Sequence, residues 1–201
     1  MRLSPAQHRA INQFLLELSQ WNKVFNLTGL RDPDQMVRHL LLDSLICASR
    51  LPERGLILDI GSGAGFPAVP IKIYHATVEL HLLEPNRRRA SFLKHIKRVL
   101  SLESFRVSRG RLEEQGTNTI KPCTAITARA VMDPLKLIPK CAPLLATGGR
   151  LVLFLGQGGK SLEAEIARAG KDADLVISQL LGYKLPGAIG ERFLAFLNKG
   201  V

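Results

Sequence analysis

Residues 58–67 read Leu58-Asp59-Ile60-Gly61-Ser62-Gly63-Ala64-Gly65-Phe66-Pro67. The apolar residues before the glycines predict a buried strand, and the proline after them predicts the start of a helix. Glycines at alternate positions remove the Cβ atoms from one side of the connecting turn, so a ligand can lie against bare backbone. The free N–H groups of the following helix point toward the same place. This stretch therefore predicts a nucleotide-type cofactor loop.

The glycine spacing separates two classes of cofactor loop. The dinucleotide fingerprint G-x-G-x-x-G needs glycine at position 66, where this chain has Phe66. The observed G-x-G-x-G pattern is typical of S-adenosylmethionine-dependent methyltransferases. The next apolar run ends at Glu84, about twenty residues after the last glycine, the distance at which an acid binds an adenosine ribose. Glu84 is therefore a candidate cofactor ligand; the alternative is a solvated acid at a strand end.

Length and composition describe an ordinary globular protein. The chain has 201 residues, 46% of them hydrophobic and 22% charged, and is long enough to bury a full core. No apolar stretch is long enough to span a bilayer, and the N-terminus shows no secretory signal. Cys47, Cys123 and Cys141 are odd in number and lie in apolar contexts, which favours reduced core cysteines in a cytoplasmic protein.

The charge balance indicates the kind of partner. Lysine and arginine number 28 against 17 acids, a net charge of +11, and such an excess favours a polyphosphate through counterion release. Within residues 87–111 the single acid is Glu103, and the basic residues are Arg87, Arg88, Arg89, Lys94, Lys97, Arg98, Arg106, Arg109 and Arg111. Charge runs are often plain solvated helix faces, but beside a cofactor site this one favours nucleic-acid binding. Aromatic residues are only 5%, so serial base stacking is not the expected mode.

The first 50 residues predict a helical arm. Ser4-Pro5-Ala6-Gln7 is a capping box with proline at the first helical position. An apolar stripe follows at three- and four-residue steps: Ile11, Phe14, Leu15, Leu18, Trp21 and Phe25. A second helix starts at 32–35 and directs inward Met36, Val37, Leu40, Leu41 and Leu45. We expect both stripes to pack against the core.

From residue 56 onward, strands and helices alternate. The predicted strands are 56–60, 79–83, 105–108, 124–128, 150–155, 174–181 and 192–197. The predicted helices are 67–74, 86–100, one opened by Asp133-Pro134 and closed by Gly148-Gly149, and 161–169; a loop is expected at 110–119. This α/β alternation requires a mostly parallel sheet with helices on both faces, and the closing strand pair suggests an antiparallel hairpin at one edge. Residues 1–50 are the helical extension and residues 51–201 the cofactor-binding domain.

Other catalytic patterns are weaker. The five histidines make no pairing at metal-ligand spacing, so no metal site is expected. Ser62 lies in I-G-S-G-A, not G-x-S-x-G, and no phosphate-binding G-x-x-x-x-G-K-[ST] run exists. Arg129 ends an otherwise apolar strand at the edge where an open parallel sheet binds ligands. It could hold a phosphate or a base edge, or be an ordinary surface arginine.

With residues 59–70, 82–93, 111–114 and 127–131 in view, the chain resembles the bacterial 16S ribosomal RNA guanine-N7 methyltransferases, the methyltransferase G or glucose-inhibited division protein B family. The resemblance covers nearly the whole chain. Its most specific stretches are Trp21-Asn22-Lys23-Val24-Phe25-Asn26-Leu27-Thr28 and Arg38-His39-Leu40-Leu41-Leu42-Asp43-Ser44. It implies a class I methyltransferase fold: a Rossmann-like, seven-stranded, mostly parallel sheet with one antiparallel edge strand and a helical N-terminal extension.

The resemblance also implies a site and a substrate, a guanosine in the decoding-region loop of 16S rRNA methylated with S-adenosyl-L-methionine. The cofactor-binding residues are expected to be Asp59, Gly61, Ser62, Gly63, Gly65, Phe66, Glu84, Pro85, Leu112, Glu113 and Arg129. Arg129 is also expected to position the nucleotide, and the RNA-binding residues are Arg87, Arg88, Arg89 and Arg111. We expect a monomer that acts on 16S rRNA, within the 30S subunit or an assembly intermediate.

The chain departs from the family pattern at three places. The family often has Asp at position 84, has Phe at the position of Val131, and has Lys at the position of Leu155. Two other functions remain open at this stage. A nicotinamide-dependent oxidoreductase would share the sheet, and a non-catalytic rRNA-binding or assembly factor would share the basic run.

Overall fold

The N-terminal region is helical for local reasons. In the computed structural model, which describes residues 2–115, 120–187 and 190–200, Ser4 and Gln7 form the predicted capping box and helix α1 spans Pro5–Phe25. A second helical run comprises α2 (Pro33–Met36), a π-helical turn (Val37–Leu41) and α3 (Leu42–Ala48). Asp32 caps its start by accepting a hydrogen bond from the Asp34 N–H. Both predicted helices are thus present, the second with a π-helical turn in its middle.

The apolar stripe of α1 packs as predicted except at its end. Ile11, Phe14 and Leu18 are buried, and the ring of Phe14 lies 5.1 Å from that of Phe66. Phe25, by contrast, is 38% exposed, so the prediction that it packs inward is wrong. It is the last residue of the helix, beyond the reach of the core that covers the earlier turns.

The sheet has seven strands in the order β3-β2-β1-β4-β5-β7-β6. The strands are β1 (Leu56–Ile60), β2 (Glu79–Leu83), β3 (Phe105–Ser108), β4 (Cys123–Arg129), β5 (Leu145–Gly156), β6 (Leu175–Tyr183) and β7 (Arg192–Lys199). Strands β1 to β5 pair in parallel, and β7 pairs antiparallel with both β5 and β6. The predicted mostly parallel sheet with a closing antiparallel hairpin is confirmed. The antiparallel strand is second from the edge, because β7 inserts between β5 and β6.

Helices cover both faces of the sheet. The remaining helices are α4 (Ala68–Tyr74), α5 (Arg87–Val99), α6 (Pro134–Cys141) and α7 (Glu163–Asp172). One core cluster joins α1, α3, α4 and α5 to one face, and a second joins α6 and α7 to the other. Because the N-terminal helices share a core with the sheet, they are fixed to it; the division at residue 50 stays a prediction. No helix in the described ranges is long and apolar enough to cross a membrane.

One predicted helix ends early. We expected the helix that begins at Pro134 to continue to Gly148-Gly149, but α6 ends at Cys141 and β5 already begins at Leu145. The cause is Pro143, whose ring and missing N–H oppose helix continuation and force a 3-10 turn over Ala142–Leu144. The predicted loop 110–119 contains a 3-10 turn at Leu112–Glu114, and its last four residues lie outside the described ranges.

Candidate functional site

The glycine turn connects β1 to α4, and two of its glycines do different work. Gly61 has φ +68°, and a Cβ there would lie 2.7 Å from a methyl group of Val131, so close packing requires the glycine. Gly63 has φ +56°, and a Cβ there would meet nothing nearer than 3.9 Å. The space above Gly63 is therefore open, which is the arrangement a ligand lying against backbone needs.

Glu84 joins the end of β2 to this turn. Its side chain is almost fully buried, at 2% exposure for the residue. One carboxylate oxygen accepts a 2.7 Å hydrogen bond from the Gly63 N–H, and the other accepts a 2.8 Å bond from the Asn86 N–H. A carboxylate has about four lone-pair sites, so both oxygens keep acceptor capacity. Glu84 thus shapes the turn and still has acceptors for hydroxyl groups.

A cavity of about 450 Å³ opens between these groups, within the size range of small-molecule sites. It lies at the carboxyl ends of β1, β2 and β4, where open parallel sheets bind ligands. Six predicted site residues line it: Gly61, Glu84, Pro85, Arg89, Arg111 and Glu113. Residues 130–132, which follow β4, form another part of its wall. The structure therefore brings the glycine turn, the strand-end acid and part of the basic run to one cavity.

Asp59 lies beneath the turn with 0% exposure. One of its carboxylate oxygens accepts a 2.6 Å hydrogen bond from the Thr127 hydroxyl, and the other has no partner among the described residues. Burial raises the pKa of Asp59 to about 6, although the Thr127 hydrogen bond opposes the rise. The Ser62 hydroxyl donates to the Asp59 backbone carbonyl. A buried acceptor without a partner is suited to a cationic or hydrogen-bonding group, although Asp59 itself is not among the residues that line the cavity.

Three other predicted contacts have buried side chains. Phe66 is packed against Phe14, so only its backbone is available to a ligand at the turn. Gly65 is closed off, because a Cβ there would lie 2.8 Å from Val69. Leu112 belongs to the core cluster on the α6 face. These residues shape the site from behind.

Glu113 lies at the cavity with its carboxylate paired to the Lys140 ammonium. The hydrogen bond from Lys140 lowers the pKa of Glu113. This ion pair links the segment after β3 to α6. It therefore fixes Leu112-Glu113, where the adenine of the cofactor is expected to bind.

Arg129 ends β4 but points away from the cavity, toward the N-terminal helices. One of its terminal nitrogens lies 2.7 Å from the His39 carbonyl oxygen and 3.2 Å from an Asp43 carboxylate oxygen. The other is buried without a hydrogen-bond partner among the described residues, and the guanidinium lies over the Phe154 ring. Burial lowers the pKa of Arg129, against the attraction of Asp43.

Asp43 is the centre of a charge cluster that sequence reasoning missed. It is 2% exposed and binds the Arg192 guanidinium at 2.7 Å and the Tyr183 hydroxyl at 2.9 Å, in addition to Arg129. The available signal was the 38–44 motif, which contains both His39 and Asp43. The motif was recognised, but nothing in the sequence linked it to Arg129.

Three of the four predicted RNA-binding arginines lie at the start of α5, and the fourth, Arg111, precedes the 3-10 turn after β3. Asn86 caps this helix, and Arg87 and Arg88 are exposed in its first turn. Cations are disfavoured there by the helix dipole, so helix stability does not explain them. Arg89 is partly buried, and its Nε donates a 3.1 Å hydrogen bond to the Leu27 carbonyl.

The strand order, the glycine turn and the strand-end acid define the class: a class I methyltransferase fold. The solved structures it is similar to agree. A methyltransferase from Pyrococcus furiosus has a TM-score of 0.69 at 15% identity and covers 94% of this chain and 98% of its own. M. jannaschii TYW2 in complex with AdoMet has a TM-score of 0.63 at 12% identity, covering 79% of this chain and 74% of its own.

Sequence comparison gives the family. The model of the GidB family, rRNA small subunit methyltransferase G, matches residues 7–186. The chain is 32% identical over 200 residues to a "Ribosomal RNA small subunit methyltransferase G" of Geotalea uraniireducens, covering 99% of this chain and 91% of the relative. It is 41% identical over 172 residues to the protein of that name from Chloroflexus aggregans, covering 83% and 70%. The chain belongs to the rRNA small subunit methyltransferase G family, as the resemblance predicted.

Proposed function

We propose that this enzyme transfers a methyl group from S-adenosyl-L-methionine to N7 of a guanosine in the decoding-region loop of 16S rRNA, at the position numbered 527. The observation that carries the proposal is the cavity at the carboxyl ends of β1, β2 and β4, where buried Glu84 is bonded to Gly63. Family membership supports the RNA substrate, as does the net charge of +11.

The residues present fit this cofactor. The open space above Gly63 accommodates a ligand against the backbone. Glu84 keeps acceptors for the two ribose hydroxyls, and Pro85 lines the cavity beside it. The unpaired oxygen of Asp59 lies beneath the same turn and is suited to the cationic amino end of the cofactor. Glu113 lines the cavity and Leu112 is buried in the neighbouring core, and we propose that both lie beside the adenine.

The proposed reaction requires no proton transfer by the protein. When bound, the cofactor supplies a methyl group on a positively charged sulfur. Guanine N7 carries a lone pair and no proton, so the chain needs to orient the base and exclude water, without a general base. In this scheme Arg129 positions the nucleotide by ordering the segment after β4 that lines the cavity, since its own guanidinium is bound to Asp43 and His39.

Replacement of Arg129 tests its positioning role. We expect Arg129→Ala to lower the methyl-transfer rate at saturating cofactor at least tenfold, while cofactor affinity measured by calorimetry stays within twofold. Arg150→Ala is the control, because Arg150 is also partly buried but lies at the opposite ends of the strands. An unchanged rate for Arg129→Ala would remove Arg129 from the mechanism.

Transfer of labelled methyl to substrate tests the function itself. The purified protein is incubated with labelled S-adenosylmethionine and either 30S subunits, an assembly intermediate or free 16S rRNA, and the modified base is mapped. We expect one labelled guanine in the decoding-region loop. Cofactor binding without transfer to any of the three RNAs would contradict the proposal, and an absence of cofactor binding would favour the non-catalytic rRNA-binding factor.

A further inference from the structure

The end of α1 exposes apolar surface where the rest of the helix is buried. Val24 is 74% exposed and Phe25 38% exposed, whereas Phe14 and Leu18 on the same helix are fully buried. Exposed apolar groups next to charged ones often mark an interaction site. Val24 and Phe25 lie beside Lys23 and beside the first turn of α5.

Phe25 and Arg88 form a cation–π pair. The Arg88 guanidinium lies over the Phe25 ring, 5.6 Å from its centroid, and the Trp21 ring supports Phe25 from within the helix at 5.6 Å. Arg88 is exposed, and in the described ranges its guanidinium has no carboxylate within ion-pair distance. An exposed arginine beside an aromatic ring offers free donors next to an apolar surface, a combination that unpaired RNA bases bind.

The end of α1 also carries cations that line a cavity. A cavity of about 470 Å³ at the end of α1 includes Lys23, Val24 and Arg31 in its wall. Lys23, Arg31 and Arg87, like Arg88, are outside the ion pairs formed among the described residues. The nearby acid Asp32 is engaged as the cap of α2. Arg87 and Arg88, which are outside these ion pairs and lie at an exposed aromatic ring, complement a phosphate chain with bases, not an apolar protein surface.

This region is continuous with the methyl-transfer site. Arg89 follows Arg88 in α5 and lines the 450 Å³ cavity. Its Nε binds the carbonyl of Leu27, two residues after Phe25. The end of α1 is therefore tied to the cavity wall, so RNA that enters the cavity can extend along it.

We infer that Lys23, Val24, Phe25, Arg87 and Arg88, here called the α1-end surface, bind an unpaired segment of the substrate rRNA next to the methylated guanosine. One base stacks on the Phe25–Arg88 pair, and Lys23 and Arg87 hold phosphates. This inference rests on the proposed function for the identity of the RNA. It gives Phe25 a role in RNA binding, whereas the sequence pattern predicted that Phe25 packs in the core.

The single tryptophan of the chain, Trp21, provides a direct readout. Protein-free 16S rRNA is titrated into the enzyme and the Trp21 fluorescence is followed, with filter binding as a second measure of affinity. We expect the Trp21 fluorescence to change on binding, because the Trp21 ring lies 5.6 Å from the Phe25 ring that the base would contact. Phe25→Ala should weaken RNA binding about tenfold or more, the effect of losing one base–aromatic stack.

Matched variants separate stacking from folding. Leu16→Ala removes another exposed apolar side chain of the same helix, 58% exposed, and should bind RNA like the wild type. Phe25→Tyr keeps the ring and should retain affinity. Arg88→Gln should weaken binding, because it removes the guanidinium that contacts the base beside Phe25. S-adenosylmethionine affinity should be unchanged in all four variants.

The outcomes distinguish this inference from the proposed function. Wild-type RNA affinity in both Phe25→Ala and Arg88→Gln overturns the α1-end surface, even if methyl transfer is intact. If these two variants kept wild-type affinity for free rRNA but lost affinity for 30S subunits, the inference would also be overturned, since the surface would then bind a ribosomal protein. Tight, Phe25-dependent RNA binding without methyl transfer by the wild type supports the surface and contradicts the proposed activity instead.

Discussion

Glu84 and Asp43 are two buried carboxylates at the same edge of the sheet, and they are satisfied in different ways. Glu84 accepts hydrogen bonds from two backbone N–H groups, one in the glycine turn and one two residues further along the chain. Asp43 is bound by two arginines and a tyrosine, with Tyr183 and Arg192 lying 140 and 149 residues away. The first carboxylate shapes a ligand cavity, and the second joins the N-terminal helices to the closing hairpin.

The difference shows where each carboxylate exerts its effect. Two backbone N–H groups use only part of the acceptor capacity of Glu84, so the rest is available to a ligand. The partners of Asp43 occupy both of its carboxylate oxygens and the arginines balance its charge, so loss of Asp43 would mainly destabilise the folded protein. We therefore expect substitutions at Asp43 to affect folding most, and substitutions at Glu84 to affect binding most.

Asp43→Ala gives the largest expected effect. It leaves Arg129 and Arg192 without their shared counter-charge in a largely buried site, which should lower the free energy of unfolding by about 3–5 kcal/mol. Tyr183→Phe removes one hydrogen bond from the same carboxylate and should cost about 1 kcal/mol. Urea denaturation measures both. If Asp43→Ala cost no more than Tyr183→Phe, the cluster would not join the two regions as described.

Asp59 offers a comparison by pH. Its pKa is about 6 in the folded protein against 3.8 as the ordinary value, so the folded state holds its proton more tightly than the unfolded chain. Stability therefore falls as the pH rises across this window and levels off above it, a total loss of about 3 kcal/mol. Asp59→Asn, measured by urea denaturation without cofactor, should lack this fall.

Thr127→Val is the companion variant for Asp59. It removes one of the two hydrogen bonds, from Ser62 and Thr127, that oppose the raised pKa of Asp59, so the fall in stability should extend to higher pH. If the wild type and Asp59→Asn showed the same pH profile, burial would not raise the pKa of Asp59 in the folded protein.

Glu84→Ala tests the other carboxylate. Loss of charge-assisted hydrogen bonds should weaken S-adenosylmethionine binding by about 1–3 kcal/mol in calorimetry, with a smaller effect on unfolding than Asp43→Ala. Glu84→Asp keeps the carboxylate, matches the residue often found in the family, and should retain more affinity. Equal affinity of wild type and Glu84→Ala would place Glu84 outside the cofactor site.

The smallest effect is expected at the exposed arginines. Arg87→Gln should leave folding and cofactor binding unchanged and reduce the slope of log affinity for 16S rRNA against log salt by about 0.7–0.9. Arg168→Gln is the control, since Arg168 is exposed on α7 across the sheet. If both variants reduced the slope equally, only overall charge would matter.

The sequence predicts this molecule best where the signal is local. The bounds of β1, β2 and β3 coincide with the predicted ones, because each strand is a short apolar run flanked by turn residues. The glycine turn and Glu84 meet as expected, since parallel strands end at one edge. Phe25 was assigned to the core because its spacing matches the stripe, but periodicity does not tell where the neighbouring core ends.

The Asp43 cluster could not be predicted for a different reason. Its members come from α3, β4, β6 and β7, and each alone is an ordinary polar residue of a helix or strand. Only the tertiary arrangement brings two arginines to one carboxylate. The order of the last two strands escapes prediction likewise, because their pattern is the same whichever of them lies at the edge.

The position of β7 has a consequence for how the chain matures during synthesis. Strand β7 follows the other six strands along the chain yet lies between β5 and β6, so the outer side of β5 has no hydrogen-bonding neighbour until residues 192–199 leave the ribosome. A nascent chain that ends before Arg192 has the glycine turn but displays an unpaired strand border, a template for aggregation. Completion of the sheet and delivery of Arg192 to Asp43 are then a single late event.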